Sequence, residues 1–484
     1  MAWTLLLCIG FCLVPLQTQA AEFYVDPVNG SPAGDGSASR PWQTIQEVFN
    51  AGLVESQQWD RLPYTPQSKL VAKNAGAPVR AGDTIWLRSG FHGDLLIDKY
   101  YNLGHITLAA EKGHTPRLSS LHIRSGSHWT IRGLSVSAEF SQTYQRHTLV
   151  HLESHNWHGP VHDIVVEQCT LSSVADASAW TAEDWDRLSC NGFQVDGTRM
   201  TIRDNRLLNV NFGISVGASD SLITGNLVEN FAGDGLRGLG NHTTFEYNTV
   251  KNCYKVNANH DDGFQSWSTG PGGVGSGEVV GVVLRGNTII NYVDPNQPYR
   301  GTLQGIGCFD GTYVDWVVEN NVIITDHWHG ITLLGARNCR VINNTVLDQN
   351  KTSPGPPWIC IGKHKNGTAP SNCVVRNNLA TAFTSAAGVQ QENNLTIQNP
   401  AALFVDPARF DLHLLPGTPA LDAGSSVNAP KLDRDRIPRP QGKGIDLGAY
   451  EWHTEDVQPV KKSDSESHGG GNSSRIGRRP ENKS

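Results

Sequence analysis

An asparagine recurs along this chain at the end of a short apolar-led motif. The instances are "IRDN" ending at Asn205, "ITGN" at Asn226, "FEYN" at Asn248, "LRGN" at Asn287, "VENN" at Asn321, "VINN" at Asn344 and "VRNN" at Asn378, at spacings of 21, 22, 39, 34, 23 and 34 residues. A glycine followed by an apolar residue precedes most of them: Gly192-Phe193, Gly213-Ile214, Gly235-Leu236, Gly263-Phe264, Gly305-Ile306 and Gly330-Ile331. A unit of this size cannot bury an apolar face by itself, so the units must stack. Helical repeats need apolar residues at i, i+3, i+4 and i+7 over about ten residues or more, and these runs are too short. The leucine-rich signature is absent. What remains is an all-β solenoid, a parallel β-helix whose coils lie about 4.8 Å apart. Aligned apolar side chains would fill it, and the asparagines would hydrogen-bond from coil to coil as a ladder. The ladder accounts for the sequon at Asn343 without a glycan.

Alternation along a strand assigns the residues around each glycine to a face. Phe193, Ile214, Leu236, Phe264, Ile306 and Ile331 should point inward, and Gln194, Ser215, Arg237, Gln265, Gly307 and Thr332 outward. Just before the glycines, at the corner leading into the strand, stand Asn191, Asp234, Asp262, Gln304 and His329. One exterior patch then gathers Asp234, Arg237, His260, Asp261, Asp262, Gln265 and Trp267, with His327 and His329 of "DHWHG" further along. The two stretched spacings around Asn287 place extra residues in "STGPGGVGSGEVVG" (268–281) and "YVDPNQPYRGTLQ" (292–304), on either side of the strand that begins at "HDDGF". Long loops on a rigid scaffold are where binding residues concentrate. The glycine-rich stretch lacks the GK[ST] of a phosphate loop.

The first 20 residues, "MAWTLLLCIGFCLVPLQTQA", read as a signal peptide without a basic start, and the apolar run is too short to span a membrane. The chain is expected to be exported, secreted or periplasmic, and monomeric. Seven cysteines would remain, with no CxxC pair and no zinc spacing. A net charge of −7 offers no basic surface to nucleic acid. From 453 to 484 the chain turns polar and aperiodic, as a disordered tail does. The solenoid is expected over 22–452.

Three segments resemble the pectate-lyase-like right-handed parallel β-helix proteins. "FYVDPVNGSPAGDGSASRPWQTIQEV" (23–48) looks like their opening segment, "AGDTIWLRSGFHG" (81–93) like their first coil, and "DLGAYEW" (446–452) like their closing strand. The likeness speaks to fold. That fold hosts lyases, hydrolases, epimerases and non-catalytic spikes, so function has to come from the site.

Three functional readings follow. In a lyase or C5-epimerase acting on a uronic-acid polymer, the sugar carboxylate must be neutralised before the C5 proton can leave. Calcium held by hard oxygens does this; the resemblance assigns Asp234, Asp261 and Asp262 as its ligands, with Arg237 or Lys255 as the base. Gln265 stands where a further acidic ligand would fit. In an inverting glycoside hydrolase of the polygalacturonase type, the order Asp234-Gly, Asp261-Asp262, His329-Gly supplies two carboxylates about a water, although the later Arg-x-Lys element is missing. In a non-catalytic carbohydrate-binding or structural solenoid, the aspartates are turn caps, Arg237 an ion-pair partner of Asp234, Lys255 a solvated side chain and Trp267 a packing residue. Trp267 and Gln265 are the sugar contacts in the first two readings, and His260 completes the patch. His327 and His329 point the same way but lack a third zinc ligand.

Overall fold

The computed structural model describes residues 20–453. Apart from Ala20 and His453, the expected signal peptide and polar tail lie outside the described residues. Short strands stack in three rows, and consecutive coils pair in parallel. One row runs through Thr148–Glu153, Asn191–Val195, Ile214–Val216, Leu236–Gly238, Asp262–Trp267, Gln304–Asp310, His329–Leu334 and Trp358–Gly362. A second row holds the apolar-led motifs. The third forms a 12-stranded sheet from Gly90–Phe91 to Leu395–Thr396.

The core is made of columns. Ile202, Ile223, Phe245, Leu284, Val318, Val341 and Val375 occupy equivalent positions on successive coils and are all buried. Phe193, Ile214, Leu236, Phe264, Ile306 and Ile331 form another, as alternation predicts. The glycines ahead of them also stack, because a Cβ on Gly213 or Gly305 would strike the carbonyl of the next glycine in the column.

The ladder is present in full. Each asparagine side chain donates through Nδ2 to the Oδ1 of the next, from Asn205 through Asn226, Asn248, Asn287, Asn321, Asn344 and Asn378 to Asn394, at 2.9–3.0 Å. The same Oδ1 also accepts the backbone N–H of the preceding asparagine, as Asn287 Oδ1 does from Asn248 at 3.1 Å. The residue before each asparagine turns the chain in the left-handed region, as at Tyr247 (φ 53°) and Asn320 (φ 55°). This aims every amide along the stack.

At the first end, helix Ile45–Asn50 closes the solenoid. Thr44 and Glu47 cap its start reciprocally, and Phe49 packs edge-on against Trp129. At the other end the expected boundary changes. Coil pairing stops at Leu395–Thr396, and the chain from 400 onward folds back along the flank instead of adding coils. The reason is the third row's outward face, where Ile290, Val322, Ile324 and Leu347 are apolar and need cover. Leu403, Phe404, Leu412, Leu414 and Leu447 provide it. Asp446–Trp452, expected as a closing strand, is irregular. Asn343 Nδ2 donates to Asp446 O, and Gly448 N donates to Asn377 O. Arg439 and Glu451, both fully buried, pair at 2.5 Å. The seven cysteines among the described residues form no disulfide.

Candidate functional site

The strand register places Asp234, Asp262, Gln304 and His329 in succession at one corner, on four neighbouring coils. The outward row beside them runs Gln194, Ser215, Arg237, Gln265, Gly307, Thr332. Arg237 and Gln265 are half-buried, while Ser215 and Thr332 are buried. Thr332 is closed over by the Trp358 indole, whose Nε1 donates to its Oγ1 at 3.0 Å. Gln265, expected exposed, is half-buried because its Nε2 turns in to donate to Asp262 Oδ2 at 2.9 Å.

The three aspartates differ sharply in what they do. Asp234 accepts Arg237 Nε at 2.6 Å on Oδ2 and the backbone N–H of Asp262 at 3.0 Å on Oδ1. It is a corner cap held by a cation, as the non-catalytic reading expects. Asp261 and Asp262 are not satisfied in that way. Both oxygens of Asp261 and Oδ1 of Asp262 are buried without a hydrogen bond, and so is the nearby Gln304 Oε1. Lys255 Nζ stands 3.1 Å from Asp261 Oδ2, as a charge without hydrogen-bond alignment; its amine donates to Asn259 O instead. Lys255 is therefore paired, not a free base.

Burial disfavours the ionised form of each carboxyl. It raises Asp234 against the opposing pull of Arg237. It pushes Asp261 up to about 7 although Lys255 opposes. It lifts Asp262 well above the usual carboxylate range, with the Asp234 charge adding to the effect. At Asp261 and Asp262 burial therefore favours the protonated form, while Arg237 holds charge on Asp234. The histidines do the reverse: burial, with repulsion from His327 and His260, takes His329 down to about 4. His327 is lowered by burial and by His260. His260 is exposed and its charge acts on both, and the rings of His327 and His329 stack at 5.1 Å.

Aromatic rings line the groove. Arg237 lies 3.6 Å above the centroid of Phe212 and 5.4 Å from that of Trp267. Phe309 is turned toward the floor by a bulge, Ser266 pairing with Cys308 but Trp267 with Asp310. Its ring packs against His329 at 4.7 Å. Trp358 packs against His329 at 5.4 Å and stacks with exposed Trp328. Gln265, Trp267, Phe309, Asp310 and Val274 enclose a cleft of about 360 Å³. Of the two expected loops, 268–281 walls it through Val274. Residues 292–303 fold over the Asp261 side, with Tyr299 O accepting Lys255 N at 2.7 Å, and 268–281 rise opposite, where Gly275 O contacts His364 Nε2 at 3.0 Å.

Phe212, Phe309 and Trp358 were not singled out in the sequence. Phe212 occupies the same pre-glycine corner as Asp234 and could have been found by that rule; Phe309 could not, since a bulge aims it. Asp326 was also missed. It is buried, raised by burial, and accepts from Asn291 and Asn350 at 2.8 Å each.

A calcium cage of Asp234, Asp261 and Asp262 does not fit this geometry. Both oxygens of Asp234 are engaged, and the ligand atoms of the three do not all converge within 4.8 Å of one another. Calcium needs six to eight oxygens. Arg237 and Lys255 supply positive charge here instead.

Residues 191–355 match the family model described as a right handed beta helix region. With the parallel coils, this settles the hand. The fold is a right-handed parallel β-helix. No curated protein matches the chain in sequence. Solved structures similar to this β-helix include pectate lyase Pel9A, at 13% identity and a TM-score of 0.43 over 90% of this chain and 97% of that one. A glycoside hydrolase shares 11% identity at a TM-score of 0.44, over 82% and 99%. The A-module of mannuronan C-5 epimerase AlgE6 from Azotobacter vinelandii shares 14% at 0.34, over 65% and 82%. At these scores the likenesses carry no weight for the site. Among the described residues, no helix is long and apolar enough to cross a membrane.

Proposed function

We propose that this β-helix is an exported polysaccharide-active enzyme that transfers protons at the Asp261–Asp262 corner, as a β-eliminating lyase or C5-epimerase of a uronic-acid polymer. One observation carries the reading: Oδ1 of Asp261 and Oδ1 of Asp262 are buried without a hydrogen bond, with Lys255 and Gln265 meeting only the other oxygens, beneath an aromatic-walled groove that presents Arg237. A fold that needed these aspartates only as caps would satisfy them, because an unpaired buried polar group costs about 1–3 kcal/mol. Held protonated, they are hydrogen-bond donors. A sugar carboxylate drawn to Arg237 and to such a donor loses the charge that otherwise keeps its C5 proton in place. His329 and His327, neutral by burial, accept that proton, and Asp261 or Asp262 gives one up, to the departing glycosidic oxygen in elimination or to the opposite face of C5 in epimerisation. Trp267 and Phe309 offer ring faces to the sugars.

The inverting-hydrolase reading needs one carboxylate held ionised as a free base; burial works against this at Asp261 and Asp262, and Asp234 is taken up by Arg237. The test is a panel of acidic and neutral polysaccharides, with calcium or chelator. Ultraviolet absorbance (unsaturated ends), reducing ends and solvent deuterium incorporation are followed together. Unsaturated or deuterated product from an acidic polymer alone, lost in Asp261→Asn with Asp262→Asn, supports the proposal. Reducing ends without unsaturation would overturn it in favour of hydrolysis, and strict calcium dependence would overturn the metal-free chemistry.

A further inference from the structure

Toward the amino-terminal coils, the same outward row that carries Gln194, Ser215 and Arg237 holds two histidines. His151 pairs with His122 on one side and with Gln194 on the other. Their rings stack at 4.8 Å with planes 10° apart. Glu153, two residues on and facing the same way, puts Oε2 2.7 Å from His122 Nε2. One ligand atom from each of the three lies within 4.8 Å of the others. Asp196 on the next coil adds an oxygen 3.8 Å from His151 Nε2.

We propose that His122, His151 and Glu153 form a binding site for a zinc-class divalent cation, independent of the acid corner. Two imidazoles and a carboxylate are a donor set zinc accepts, with nitrogen and oxygen about 2.0–2.2 Å away. Ligand atoms around such an ion sit about 3.3–3.5 Å apart, so small side-chain rotations bring this trio into place. The nearest competing cation is withdrawn: Arg124, beside Glu153 in register, is tied to both oxygens of Asp98 at 3.1 and 3.2 Å. Calcium is disfavoured, since imidazole suits borderline metals and calcium wants oxygens. The other histidine group, His128, His162 and Asp163, lacks this freedom, because Arg199 occupies both oxygens of Asp163 at 2.7 and 2.8 Å. The fourth position would face Asp196 or the groove.

The test uses the whole protein without an affinity tag, stripped by chelator and dialysed. Zinc is titrated calorimetrically, and cobalt is added as an optical probe of geometry. One equivalent should bind at micromolar or lower concentration, cobalt should give tetrahedral absorption, and zinc should raise the melting temperature by mass action. His151→Gln and His122→Gln should each weaken binding by more than the roughly 100-fold that losing an outer partner costs. His162→Gln should bind as the wild type does. Wild-type protein that binds no zinc below millimolar concentration overturns the site. So does a folded His122→Gln or His151→Gln variant that binds undiminished. Should the histidine variants fail to fold, Glu153→Gln decides: unchanged affinity and cobalt spectrum would overturn the proposal.

Discussion

Asp262 reaches across to the neighbouring coil, and its Oδ1 stands where a side chain on Gly307 would begin. The outward row runs through residue 307, so any Cβ there would compete with the carboxyl for one volume. The Phe309 ring closes the same space from above. Gly307→Ala should therefore displace Asp262 or Phe309 and cost about 1–3 kcal/mol, the usual range for overpacking. It should also abolish activity on the best polymer substrate. Equilibrium denaturation and a rate assay check both. A fully active, fully stable alanine variant would mean that Asp262 is not held against this glycine.

Asp261 gives a pH signature. Burial raises its folded pKa to about 7 from 3.8. Between those values the folded chain holds a proton that the unfolded chain has released. Stability must then fall as pH rises from about 4 to 7, and stay at the lower level above. Asp261→Asn removes that slope. The variant should gain on the wild type by up to a few kcal/mol at pH 8 and by nothing at pH 4. Melts across the range test this, and parallel curves would refute the raised pKa.

Arg237 neutralises buried Asp234 directly, at 2.6 Å. Removing one member of such a pair leaves a buried charge and costs about 3–5 kcal/mol. Arg237→Ala should lose that much at neutral pH. The double change with Asp234→Asn should recover part of it, while activity stays absent in both. A cycle of urea midpoints reads the coupling.

Asn287 sits mid-ladder and links Asn248, Phe245 O and Asn321. Asn287→Ala strands several buried groups at once, each costing about 1–3 kcal/mol. The loss should exceed that from Asn394→Ala at the half-buried end of the column. Denaturant titration ranks the two.

The scaffold was legible because its rules are local and repeated. All seven asparagines read from the sequence stand in one column, and the six apolar residues after the glycines are buried together. The site was legible only in outline. Asp234, Asp261 and Asp262 were rightly placed at one corner. Their reading as one ligand set missed that Asp234 is consumed by Arg237 and by a backbone N–H, while Lys255 approaches Asp261. Hydrogen-bond partners depend on side-chain reach, which spacing does not carry. The bulge that aims Phe309, and the loop that lets the charge of His260 act on His327 and His329, lie outside any period. The closing strand failed for another reason: the apolar flank at Ile290, Val322 and Leu347 rewards a covering segment more than a further coil.

The asparagine ladder keeps 2.9–3.0 Å steps across spacings as unequal as 21 and 39 residues. Loop length is thereby decoupled from coil position, as floors in a building are indifferent to the size of its balconies. Residues 268–281 and 292–303 can be lengthened, exchanged or trimmed while the strand carrying Asp262 and Gln265 stays where it is. A chain built this way can change its groove walls without rebuilding the groove floor, and grafted walls on this frame are a direct route to altered binding.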